Sequence, residues 1–126
     1  MKIATIIART LLGLVFVVFG FNGFFHFIHM SPETNPAADQ FFTALTTTGY
    51  MKAIFLLQII GGLLVLLGFF APLGLTILCP IIVNIVLFHV CMAPGGLPLA
   101  MVTSALALFL IWRYWANFAG LLRQGA

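Results

Sequence analysis

Four long apolar stretches, separated by short runs rich in proline, glycine and polar residues, set the pattern of this chain. They cover about 3–29, 50–71, 75–92 and 98–118, and the first contains a run from Leu11 to Phe21 without a single polar side chain. The hydrocarbon core of a bilayer is about 30 Å thick and takes roughly 20 apolar residues of helix to cross. Each stretch therefore predicts a transmembrane helix. A basic start followed by an apolar run also describes a signal peptide, but the run is long and no compact small-residue cleavage site follows it.

The pattern changes between the first two stretches. Asn35-Pro36 predicts a helix start, because Asn caps free amides and Pro is tolerated in the first turn; Gly49 predicts its stop. Between them Phe41, Phe42 and Leu45 share one face, and Gln40, Thr43, Thr46 and Thr47 the other. That spacing predicts a short helix over about 36–48 lying in the headgroup region, either as a surface anchor or as a lid. Pro72-Leu73-Gly74 predicts a tight turn between the second and third spans. The Ala-Pro-Gly-Gly-Leu-Pro run at 93–98 predicts another, with Pro98 starting the fourth span.

Composition narrows this further. Of 126 residues 63% are hydrophobic and only 6% charged, with a mean hydropathy of +1.25, which excludes a water-soluble globule. The fold class is an all-α membrane protein: a single domain over 1–126, built as a four-transmembrane-helix bundle with a short interfacial helix between spans one and two. Lys2, Arg9, Arg113 and Arg123 lie near the chain ends, while the loop after the first span holds both acidic residues, Glu33 and Asp39, with Lys52 at its far border. The positive-inside rule then makes both termini cytoplasmic. Trp112, Tyr114 and Trp115 beside Arg113 form the matching aromatic belt. No basic cluster suggests nucleic acid. Cys79 and Cys91, about 18 Å apart along one helix, are too far apart to bridge.

Candidate chemistry resides in the few polar letters inside the spans, since an amide or imidazole in hydrocarbon is costly without a partner. Counting inward from the outer ends at about 1.5 Å per residue, Asn22 falls about 10 Å deep, and Gln58, Asn84 and Thr103-Ser104 fall near the same level. His26, His29 and His89 come just above it. Asn22, His26 and His29 form one stripe on the first span, and Gln58 shares a face with Gly61 and Gly62, where another helix can approach closely. Asn84 and His89 point about 140° apart on an ideal helix, which Pro80 can alter. These groups either tie helices together or line a site. As a site, His89, His26, Asn22, Asn84 and Gln58 are the candidate contacts for a quinone or pigment, with Phe24, Phe25 and Phe88 able to wall a ring. Imidazole can hydrogen-bond a quinone carbonyl and pass its proton, or act as an axial ligand to haem or chlorophyll. No catalytic set and no closed metal-ligand set stands out, and the spans carry no carboxylate of the kind that marks ion pathways.

The segments RTLLGLVFVVFGFNGFFHFI, FFTALTTTGYMK, QIIGGLLVLLGFFAPLGL and NIVLFHV together resemble the DoxX family of small four-helix membrane proteins, over nearly the whole chain. The resemblance implies a protein of the bacterial inner membrane. Family relatives include a membrane subunit associated with thiosulfate:quinone oxidoreduction and members linked to oxidative-stress assemblies. Asn22, His26, Asn84 and His89 match the family's recurring polar positions, which carry no assigned role. The expectation is an accessory subunit without independent catalytic activity, packed in the lipid bilayer against larger membrane proteins of an electron-transfer complex and contacting quinone. The alternatives are a membrane subunit of a quinone-linked oxidoreductase or a haem- or chlorophyll-contacting subunit.

Overall fold

The computed structural model describes residues 2–25, 35–92 and 94–122, which are helical throughout except at short turns. Among these described residues six α-helices follow in order: α1 (Lys2–Phe25), α2 (Pro36–Thr47), α3 (Tyr50–Leu67), α4 (Ala71–Cys91), α5 (Leu97–Arg113) and the short α6 (Trp115–Ala119). Single 3-10 turns precede α5 at Pro94–Gly96 and follow α6 at Gly120–Leu122. Among the described residues α1, α3 and α4 are long and apolar enough to cross a membrane, while α5 is apolar but shorter, at 17 residues. At 1.5 Å per residue α1, α3 and α4 measure about 36, 27 and 32 Å, and α5 about 26 Å.

The four long helices form a closed ring in which α1 touches α3, α3 touches α4, α4 touches α5 and α5 returns to α1. Glycines set the spacing. A side chain on Gly13 would lie 2.8 Å from the Leu66 backbone, and one on Gly62 would lie 3.1 Å from the Gly13 carbonyl, so α1 and α3 meet almost backbone to backbone. Gly61, the next residue, serves the other neighbour: a side chain on Gly74 of α4 would come within 2.8 Å of the Gly61 carbonyl. Successive residues of a helix point about 100° apart. One Gly-Gly pair therefore lets two helices approach α3 from different sides, the small-residue packing typical of membrane helices.

Leu12, Phe16, Val65, Leu75, Leu78, Ile82, Ala107 and Leu110 fill the ring, joined by Ala8. Most come from the half of each helix nearest the chain ends, with Phe16 and Ile82 just past the midpoints of α1 and α4. The outer faces are apolar too, with Leu14, Val18, Leu63, Val83, Leu87, Met101 and Leu108 exposed; a water-facing bundle would place polar residues there. This is a membrane protein by the character of its surface as well as its core.

The turn between the second and third spans differs from the sequence reading. α3 stops at Gly68, whose left-handed backbone (φ 78°) caps the helix with its N–H on the Leu64 carbonyl. Helix α4 then begins at Ala71, so Pro72 and Gly74 lie inside its first turns and not in the connection. Proline is compatible with a first turn because its missing N–H would be unpaired there anyway, and Gly74 is needed where α4 crosses Gly61. The fourth stretch also divides: α5 ends at Arg113, and after Tyr114 the chain continues as α6.

Candidate functional site

Helix α2 packs at one end of the ring, and the Asn35 side chain ties it to α4. The Asn35 Oδ1 accepts the Ala37 backbone N–H at 2.9 Å, capping α2, while its Nδ2 donates to the Met92 carbonyl at 2.7 Å. That carbonyl lies at the C-terminal end of α4, where intrahelical partners have run out. Ala38 becomes fully buried beneath the joint. Phe41 and Phe42 then reach Phe88 of α4, with ring centroids 5.7 and 4.9 Å away.

His89 adjoins this cluster. Its ring meets Phe88 edge to face at 5.2 Å, and its Nδ1, Cε1 and Nε2 occupy the space that a side chain on Gly96 would need. The nitrogen-bearing edge of the imidazole thus lies against the 94–96 turn. Phe88 is the centre of this aromatic cluster, with the rings of Phe41, Phe42 and His89 each packed directly against it.

Deeper in the ring, three polar side chains among the described residues are buried, each from a different helix: Asn22 of α1 (8% exposed), Gln58 of α3 (7%) and Thr103 of α5 (6%). Asn22 and Gln58 lie at one level, because the residues around them interlock: a side chain on Gly20 or Gly23 would meet Ile59 or Phe55 of α3. Thr103 bonds back to the Leu99 carbonyl at 2.6 Å. Asn84 does not join them. It is exposed on the outer face of α4, and its Nδ2 donates to the Pro80 carbonyl at 2.9 Å. Its amide is satisfied within its own helix. His26 and His29 lie outside the described residues.

Between α4 and α5 a laterally open groove of about 360 Å³ is lined by Cys79, Val83, Leu87, Ser104, Leu108 and their neighbours. Ser104 already donates to the Ala100 carbonyl at 2.8 Å, so the groove offers hydrocarbon contact and little else. Both cysteines are free thiols, and the described residues contain no cluster of three or more His, Cys, Asp or Glu side chains able to hold a metal. The sequence identified Asn35 as a cap but not as the tie to α4, since only its second bond crosses the fold. The groove was missed because its lining reads as ordinary lipid-facing leucine and valine.

No protein-family model and no solved structure matches the chain. Among curated proteins it is similar to the "Uncharacterized protein YwoB" of Bacillus subtilis (strain 168), with 36% identity over 117 residues that span 89% of this chain and 73% of the relative. At that identity and coverage, the chain belongs to the family of YwoB.

Proposed function

We propose that this protein is a membrane-embedded accessory subunit, of the DoxX kind, that packs against a larger partner in a redox complex of the bacterial inner membrane. The observation that carries the packing role is the laterally open, apolar α4–α5 groove. Ser104, which lines it, and Thr76, Asn84 and Thr103 elsewhere on α4 and α5 are each bonded to a carbonyl of their own helix. Such a surface suits a neighbouring helix or a hydrocarbon tail, and membrane helices associate through this kind of close packing and small-residue contact. The redox assignment rests on the DoxX resemblance alone.

In this reading α5 is the fourth span and both chain ends face the cytoplasm. Support comes from Arg9, Arg113 and Tyr114, which meet at one end of the ring, opposite the α2 cap with Asp39. Asn22 and Gln58 serve as polar ties between helices. A quinone would contact the protein through its isoprenoid tail in the groove, with its headgroup held by the partner.

Purification from native membranes in a mild detergent tests the role. A larger membrane protein should remain bound in fixed stoichiometry, and Val83→Trp with Leu108→Trp, which fill the groove, should release it without unfolding the ring. A solitary protein with catalytic activity of its own would refute the proposal.

A further inference from the structure

We infer that the end of the ring bearing Arg9, Arg113 and Tyr114 is a binding site for a phosphate-bearing anion, supplied by the headgroup of an acidic phospholipid. Thr5 and Arg9 lie one turn apart on one face of α1. Arg113 of α5 donates from Nε to the Thr5 hydroxyl at 2.9 Å, and Arg9 donates from Nη1 to the Tyr114 hydroxyl at 3.5 Å. Two guanidinium groups are thereby held on the same seam between α1 and α5. Arg9 is half-buried, and its guanidinium carbon lies 2.9 Å from where a side chain on Gly68 would begin, against the C-terminal end of α3. Its Nε is shielded from solvent and has no hydrogen-bond partner among the described residues.

Among the described residues, no carboxylate side chain lies beside this pair. The protein has two acidic residues: Asp39, in the first turn of α2 at the opposite end, and Glu33, between α1 and α2 in sequence. Arg9, half-buried with a shielded Nε unpartnered among the described residues, is a partly desolvated charge that needs a counter-ion, and Arg113 adds a second positive group on the same seam. Arginine is suited to supply paired N–H donors to phosphate oxygens.

The surroundings identify the carrier of that phosphate as a lipid. Ile6 and Ile7 beside Arg9, and Trp112 and Trp115 beside Arg113, are exposed apolar side chains. The Arg113 guanidinium carbon lies 5.8 Å from the centre of the Trp112 ring, a cation–π arrangement that keeps it at the rim. Side chains on a helix lean toward its N-terminus, so Arg9 leans from the span toward headgroup level. A phospholipid satisfies both halves of this surface at once, its phosphate on the arginines and its acyl chains over the isoleucines.

Native mass spectrometry of the full-length protein, equilibrated with equal amounts of phosphatidylglycerol and phosphatidylcholine in a neutral detergent, tests the inference. Wild type should retain phosphatidylglycerol over phosphatidylcholine about fivefold or more, and Arg9→Gln and Arg113→Gln should each lower that ratio about fivefold. Lys52→Gln, at the α2 end, should leave it unchanged. A wild-type ratio near one overturns the inference, as does an equal loss in Lys52→Gln, which would mark unspecific surface charge. Arg113→Gln decides the matter if Arg9→Gln does not fold, because Arg113 is exposed. Displacement of the retained lipid by millimolar inorganic phosphate would make the occupant a free anion and overturn the lipid assignment; resistance to it supports the lipid.

Discussion

Asn35 performs two tasks with one amide, and they can be separated. Its Oδ1 caps α2 and its Nδ2 holds the end of α4. Asn35→Asp keeps the acceptor and removes the donor, whereas Asn35→Ala removes both. Loss of an N-cap typically costs about 1 kcal/mol, and a lost side-chain hydrogen bond a similar amount. Thermal unfolding in detergent should therefore rank wild type above Asn35→Asp and Asn35→Asp above Asn35→Ala; equal midpoints for the two variants would show that the Met92 bond contributes nothing. The cap was legible in the sequence because capping is local, spanning Asn35 to Ala37. The bond to Met92 was not, since it joins residues 57 positions apart. The same distinction explains Asn84. Its helical phase relative to His89 already hinted that the two face different ways, but its choice of the Pro80 carbonyl depends on the exposed face that packing leaves it.

Helices were read from the sequence more securely than the connections between them. Long apolar runs gave α1, α3 and α4 because hydrocarbon thickness alone demands that length. The start of α4 was misplaced because Pro72 and Gly74 both act as breakers in water-exposed chains. Here proline occupies a permitted first-turn position, and glycine is retained for contact with Gly61. Contact of this kind makes a definite expectation for α1. In Gly13→Ala the new methyl would meet the Leu66 backbone at 2.8 Å, which no side-chain rotation relieves, so α1 and α3 must separate. Overpacking of this type costs about 1–3 kcal/mol. Gly120→Ala, where the added carbon meets nothing within 4 Å, should be nearly silent. Thermal melts of the two variants give the comparison, and equal midpoints would mean that the α1–α3 approach is looser than described.

At the scale of the whole molecule, α5 decides the number of membrane crossings. Its 17 residues give about 26 Å of helix, slightly less than a typical hydrocarbon core. Yet α5 closes the ring against both α4 and α1, and the chain turns at Tyr114 into α6, which supports the four-span reading proposed above. The two arrangements place Gly120 on opposite sides relative to α2. With four spans, α2 and Gly120 lie on different sides; with three, and α5 resting at the surface, they lie on the same side. In a variant lacking Cys79 and Cys91, a single cysteine at the exposed position Thr47 should react with an impermeant maleimide on intact cells, and one at Gly120 only after permeabilisation. Reaction at both positions on intact cells would indicate three crossings. Reaction at Gly120 alone would keep four crossings but invert the bundle, placing Arg9 and Arg113 on the outer side against the positive-inside expectation.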